Sequence, residues 1–309
     1  MIQNQGLGFS TQLAIATARA RNVFGSKRPQ LSLITDFGDG DEAVFAVKSA
    51  ARFVNPRIEI IDICHNVPAF NVLIGAHRLK RNVALPTEPE GAVYVAVVDP
   101  GVGGSRDCII VKTRTGKYLV GPDNGVLSLA FATEGIHRVV LIENRDLTLL
   151  DKAQSKTFHG RDVFAPVAAH ILRGVPLREF GSDLDPGTIV KIAISTDSTA
   201  TSRAGWIVDG DGFGVIRTNV PNHVPRQAIG RLVAFTLNGG QVDITDRARL
   251  VETFDDSKPG ETVLVLSSTG CLDLAVNRGN ALERFGINFD QITLDGLQPR
   301  LKVSVRFDN

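Results

Sequence analysis

Residues 92–106 read AVYVAVVDPGVGGSR, and this stretch decides the fold. Seven consecutive apolar residues, rich in valine, describe a strand buried on both faces, as in the middle of a parallel sheet covered by helices. The run ends at Asp99 and Pro100, and glycines at 101, 103 and 104 let the backbone approach a ligand closely before Arg106. Polar groups at the carboxyl end of such a strand face the crevice where α/β proteins bind ligands. On this segment alone, Asp99 and Arg106 also read as an ion pair bracing a turn.

Outward from this strand the same texture repeats. LSLIT, IEIIDI, CIIVKT, YLVGP and RVVLIE are further strand candidates between Leu31 and Gly181. Segments 41–53, 72–82, 125–133 and 162–172 carry apolar residues at helical spacing between them. The alternation predicts an α/β layered domain on a mostly parallel sheet, over residues 30–188. After the turn-rich GSDLDPGT the pattern changes. IVKIAIS, WIVDGD, FGVIRTNV, RLVAFTL, QVDITD, TVLVLSS, CLDLAVN and LKVSVRF follow with little helix between them, and LNGGQ (237–241) marks a hairpin. Residues 189–309 therefore predict an all-β, barrel-like domain of antiparallel strands.

Composition narrows the partners. Among 309 residues, 34 Lys and Arg nearly balance 33 Asp and Glu, so no broad basic field exists for nucleic acid or anionic lipid. No apolar run approaches the roughly 20 residues that span a bilayer. Three cysteines, Cys64, Cys108 and Cys271, show no metal-type spacing and fit a reducing compartment. A soluble, cytoplasmic protein acting on a small ligand is the expectation. Met1–Pro29 carries basic residues and no acid; it reads as an extension or a short amphipathic helix around Thr11–Val23, with organelle targeting as the other reading.

Two more polar clusters sit at strand ends. In ITDFGDGDE, Asp36 follows a strand directly, and a carboxylate there can accept both hydroxyls of a ribose. Asp41 fits either a helix cap or a substrate contact. The spacing matches neither a G-x-G-x-x-G fingerprint nor a P-loop. In STFHGRD, His159 precedes a helix, whose dipole favours a neutral imidazole able to take a proton from water or orient it. His65, His77, His137, His170 and His223 have blander surroundings and read as structural or solvated. PDNG (122–125) reads as a turn without a catalytic role.

Together, ITDFGDGDE, IIDICHNVPAFNV, VVDPGVGGSR, GPDNGV, STFHGRDVFAPVAAH, DGFGVIRTN and SSTGCLDLAVNRGNA resemble the S-adenosylmethionine hydroxide adenosyltransferase family, relatives of fluorinase and chlorinase. The resemblance spans about Leu31 to Phe307. It implies an α/β domain followed by a β-barrel, and a homotrimer with each active site between one subunit's N-domain and its neighbour's C-domain. It implies hydrolysis of S-adenosylmethionine at the ribose C5′ to adenosine and methionine, with Asp99, Arg106 and His159 holding the water. No cofactor and no metal are implied. Carried-over substrate contacts are Asp36 on the ribose diol, Phe70, Phe213 and Phe254 as pocket walls, Asp211 near the methionine amino group, Ser268 near its carboxylate, and also Asp41 and Asn277. In the fluorinase-like branch a tyrosine replaces Asp99 and YS replaces His159–Gly160, so the chain resembles the hydroxide branch. Two departures stand out: Val215 where relatives commonly read FGN, and Thr269 where fluorinase has arginine. A halide-dependent 5′-halonucleoside synthase and a non-catalytic adenosine or S-adenosylmethionine sensor would use the same pocket; Asp99 argues against the first, since a carboxylate repels an incoming halide.

Overall fold

The computed structural model describes residues 29–152 and 156–307 and divides into two compact units. The first holds residues 79–190 and the described residues up to Phe70; the second holds Asn71–Arg78 and the described residues from Lys191 onward. The segment expected to form a helix around Thr11–Val23 lies outside the described residues.

The first unit is built on seven strands: β1 (Gln30–Thr35), β2 (Glu59–Cys64), β3 (Val93–Val97), β4 (Cys108–Thr113), β5 (Tyr118–Pro122), β6 (Ile136–Leu141) and β7 (Asp183–Leu184), in the order β2-β1-β3-β5-β4-β6-β7. β2, β1, β3 and β5 pair in parallel. β4 enters antiparallel to both β5 and β6, and β7 is antiparallel to β6. Five strands therefore point one way and two the other. β3 is buried along its whole length at the centre, as its unbroken apolar run requires.

Helix α1 (Glu42–Val54) starts where Asp41 accepts a hydrogen bond from the Ala43 N–H at 2.7 Å. It buries Val44, Val47, Ala50 and Ala51 against the sheet and leaves Phe45 and Phe53 exposed. Helix α2 (Val72–Val83) has its first turn tied down by Asn71, which accepts from the Ile74 N–H. Short α3 (Ser128–Glu134) follows β5. One π-turn, Gly160–Phe164, runs into the buried α4 (Ala165–Ile171). α4 and the π-turn join β1, β3 and α1 in one apolar core around Phe164 and Phe180.

The second unit carries β8 (Asp197–Ser198), β9 (Ser202–Gly210), β10 (Ile216–Thr218), β11 (Leu232–Gly239), β12 (Val242–Val251), β13 (Thr262–Leu266), β14 (Leu272–Val276), short α5 (Ala281–Arg284), the small hairpin β15 (Leu294–Asp295) and β16 (Gln298–Pro299), and β17 (Lys302–Arg306). Its sheet runs β10-β14-β13-β12-β11-β17-β9, and β9 pairs back onto β10, which closes a seven-stranded barrel. β8 adds a two-residue strand to β9 outside the closed ring. The LNGGQ turn joins β11 to β12 with Gly239 opposite Val242, and both Gly239 and Gly240 take positive φ.

Three local expectations differ from the structure. IVKIAIS (189–195) forms no strand: Ile189 and Ile192 are buried, yet the segment makes scattered backbone contacts, such as the Ala193 N–H to the Leu297 carbonyl and the Asn219 amide to the Ser195 carbonyl, rather than a ladder. FGVIRTNV is strand only over Ile216–Thr218, because Phe213 and Gly214 are occupied in a tight turn. The barrel is not purely antiparallel, since β12 and β13 pair in parallel across the 252–261 connection. Among the described residues no helix is long and apolar enough to cross a membrane.

Candidate functional site

The polar residues at the carboxyl ends of β1 and β3 converge in the first unit. Beyond β3 the chain turns through Gly103, whose positive φ of 76° and close approach to the Lys156 carbonyl, at 3.1 Å from an ideal Cβ, strain any side chain placed there. That turn returns Arg106 onto Asp99. The guanidinium Nε donates to Asp99 Oδ1 at 3.0 Å and to Oδ2 at 3.1 Å, and Nη2 donates to Oδ2 as well. Both side chains are largely buried, at 11% and 4% exposure, so this is a buried bidentate pair rather than a surface contact. Asn124 of the PDNG turn donates to the Val98 carbonyl at 2.8 Å and braces the backbone just before Asp99.

His159 stands immediately before the π-turn, and its Nδ1 lies 2.8 Å from Arg106 Nη2. A guanidinium has only donors, so Nδ1 carries the lone pair and the ring hydrogen is on Nε2. Burial and the Arg106 charge hold the imidazole pKa below its ordinary value, against the weaker pull of Asp99 and Asp162. Beneath the cluster, the Phe164 ring meets His159 edge-on at 6.3 Å and the Arg106 guanidinium at 5.8 Å.

These residues open onto a cleft of about 240 Å³ lined by Asp36, Phe70, Asp99, Phe158 and His159, among others. Asp36 accepts the Phe70 N–H at 2.8 Å; Phe70 reaches it by adopting φ 64°, a left-handed conformation rare for a bulky residue. Burial raises the Asp36 pKa, partly offset by the Phe70 hydrogen bond, with nearby Asp99 pushing the same way as burial. Thr35 bonds His65 Nδ1 at 2.9 Å and accepts the Phe37 N–H, so buried His65 fixes the loop that carries Asp36. Phe37 packs edge-on against Phe158 at 5.7 Å, under the Arg161 guanidinium. The sequence reading did not single out Phe37, Phe158 or Cys108. The first two were legible only as apolar neighbours of Asp36 and His159, and Cys108 only as the start of a strand.

Asp41 does not line this cleft; its Oδ1 is spent on the α1 cap. In the second unit, Asp211 Oδ1 accepts the Phe213 and Val215 N–H groups at 3.0 Å each, and Oδ2 pairs with Arg217 at 2.6 Å. Arg217 also bonds the buried Asp273 at 2.6 Å. The carboxylate thus builds the 211–215 turn that presents Phe213, 85% exposed, on the surface. Gly214 is obligatory there, since an added Cβ would lie 2.0 Å from Asn280 Oδ1. Val215 packs against the Val251–Val263–Ala275 cluster, so the missing amide is a core-facing position in this turn. Phe254 is partly exposed and Ser268 exposed. Asn277 is buried, and its amide donates to the Phe254 and Ser257 carbonyls, which holds the Phe254 turn.

An α/β unit that carries a small-molecule cleft and a largely buried acid–guanidinium–imidazole cluster at its strand ends, and a second unit that is a closed β-barrel, define the class of protein. Residues 31–181 match the SAM hydroxide adenosyltransferase N-terminal domain and residues 205–292 match its C-terminal domain. The chain belongs to this family. It is 37% identical over 261 residues, 84% of this chain and 94% of the relative, to an (R)-S-adenosyl-L-methionine hydrolase of Salinispora tropica. A protein of the same name from Thermus thermophilus is 34% identical, with 82% and 94% covered. A fluorinase from an Actinoplanes species is more distant, at 26% identity with 81% and 91% covered. A solved structure of an uncharacterized conserved protein from Thermotoga maritima superposes with a TM-score of 0.76 at 32% identity, covering 89% of this chain and 99% of that one.

Proposed function

We propose that this protein hydrolyses S-adenosyl-L-methionine to adenosine and L-methionine. The observation that carries the reading is that Arg106 bonds both Asp99 and His159, and that these two line one cleft together with Asp36. The curated relatives at 31–37% identity are named hydrolases of the (R) sulfonium epimer, and we assign that epimer to this chain too.

The chemistry follows from the charges. A sulfonium already leaves as a neutral thioether, so the enzyme has to aim an oxygen nucleophile in line at C5′ more than it has to protonate a leaving group. Asp36 accepts the ribose hydroxyls and sets the position of C5′. One water sits between Asp99 and His159. Because Arg106 occupies Nδ1, the imidazole cannot serve as base at that nitrogen and instead donates Nε2–H to the water oxygen. Asp99 accepts the water proton as the C5′–O bond forms and the C5′–S bond breaks, and the guanidinium balances the charge on the carboxylate. The proton then leaves to solvent. Phe37, Phe70 and Phe158 keep bulk water from the cationic sulfur, where a lower dielectric strengthens attraction between nucleophile and cation.

The reaction so written uses neither metal nor cofactor. Among the described residues no three His, Cys, Asp or Glu side chains converge as a metal would need. We read the assembly as a homotrimer in which exposed Phe213, Phe254 and Ser268 complete a neighbour's site, a reading supported by the family and by the exposure of these side chains. Near-balanced charge supports a small-molecule partner over nucleic acid or membrane surfaces, and the free state of the three cysteines supports a cytoplasmic setting.

Purified protein given each sulfonium epimer separately, with and without chelator, tests this. Equimolar adenosine and methionine from the (R) epimer, unaffected by chelator, is the expected result. A 5′-halonucleoside in chloride or fluoride buffer, or binding of both epimers without product, would overturn it.

A further inference from the structure

Cys108 touches two of the three proposed catalytic groups and plays no part in the mechanism above. It is the first residue of β4, paired in register with Pro122 of β5, and its carbonyl accepts the Ile142 N–H at 2.8 Å. Its backbone is thus pinned by the sheet. Arg106, by contrast, follows a loop with three glycines. From the fixed position, Cys108 Sγ accepts Arg106 Nη1 at 3.1 Å and lies 3.7 Å from His159 Nδ1.

The guanidinium is a planar fork with three sides. One side, Nε with Nη2, grips Asp99. Nη2 also supplies His159 Nδ1, and Nη1 ends on the thiol. The carboxylate grip fixes one edge and still allows the plane to tilt about it. A third anchor at Nη1 removes that tilt and decides whether Nη2 stays aimed at the imidazole.

We propose that Cys108 is a positioning residue for the hydrolysis: its sulfur fixes the plane of the Arg106 guanidinium, and through it the Nε2–H tautomer of His159. The tautomer matters because only Nε2–H leaves a donor for the attacking water. The role rests on the hydrolase reading for its consequence in turnover, but the tautomer itself is readable without any substrate. Burial raises the Cys108 pKa, against the pull of Arg106, so the sulfur acts as a neutral thiol.

The test compares wild type, Cys108→Ser and Cys108→Ala in three readouts: kcat and KM for S-adenosyl-L-methionine, the imidazole ¹⁵N shifts of His159, and Tm. Loss of one hydrogen bond to a charged group predicts that Cys108→Ala lowers kcat by about 10-fold while KM stays within about twofold. Its His159 signals move from a single Nε2–H form to a mixture of tautomers. Cys108→Ser, which keeps an acceptor at the same place, restores most of kcat and the single tautomer. Wild-type kcat and an unchanged tautomer in Cys108→Ala would overturn the proposal, as would a Cys108→Ser as impaired as the alanine variant. If Cys108→Ala fails to fold, the wild-type spectrum still decides: an Nδ1–H imidazole at His159 contradicts it. A wild type that releases no adenosine refutes the hydrolase reading and leaves the ¹⁵N arm intact.

Discussion

Arg106→Ala is the sharpest perturbation of the site, because it removes one partner of a buried ion pair and leaves the other in place. Asp99 has a side chain 4% exposed and takes the Nε and Nη2 sides of the fork, so the variant leaves a largely buried carboxylate at the cleft wall without its charge partner. Stranding one partner of a buried pair costs about 3–5 kcal/mol, whereas replacing both with uncharged groups of similar size is close to neutral. Arg106→Ala should therefore lose about 3–5 kcal/mol in urea unfolding at pH 7. Arg106→Ala combined with Asp99→Asn should recover at least half of that loss. The coupling between the two sites, measured by the double-mutant cycle, comes out at about 2 kcal/mol or more. Turnover in both variants falls by about 100-fold or more, since the water loses its acceptor or its charge balance. A loss below about 1 kcal/mol for Arg106→Ala, or a double variant no better than the sum of the single ones, would mean that water screens the pair as it does on a surface. The account of a buried charge pair at the catalytic cluster would then fail.

Other expectations follow from the same geometry. Asp36→Asn keeps an acceptor for the Phe70 N–H but loses the charge that grips the ribose diol, and KM should rise about 10- to 100-fold with little change in kcat, as read by steady-state kinetics. The His159 imidazole is held neutral by burial and by Arg106, so kcat/KM should stay level as pH falls through about 6.5 and decline only in the more acid range where Asp36 and His159 take up protons; a half-loss at 6.5 would refute the neutral role. Burial, helped by Arg173, pushes His170 down to about 4, and its Nδ1 has no hydrogen-bond partner. The unfolded chain binds that proton first, so this contribution is full above about 6.5 and is lost as pH falls toward 4, by about 3 kcal/mol in all. Urea unfolding at pH 7 and pH 4.5 should show a smaller acid loss in His170→Leu than in wild type.

Much of the first unit was legible because its strands are apolar on both faces. AVYVAVVD could only be central, and it lies at the centre. The site residues followed from strand ends: Asp36, Asp99 and His159 each sit where a strand or loop meets a helix, and the cleft gathers them. IVKIAIS misled because alternating apolar residues report burial, and burial does not require a ladder partner. Asn277 shows a role the sequence reading did not give it. A polar residue at a strand end can serve the chain itself, and here it braces the Phe254 turn. Cys108 was invisible as a site residue because nothing along the chain shows that β4 enters antiparallel and brings its first side chain to Arg106 and His159. Neither could the sequence show which imidazole nitrogen is donor, since that depends on a contact 53 positions away.

The central claim is that a water molecule held by Asp99 and His159 attacks C5′ and the sulfur departs with its electrons. Turnover of (R)-S-adenosyl-L-methionine in H₂¹⁸O, read by mass spectrometry, tests it directly. The account predicts one ¹⁸O in the 5′-hydroxyl of adenosine and none in methionine. Unlabelled adenosine, or label confined to another product, would contradict it.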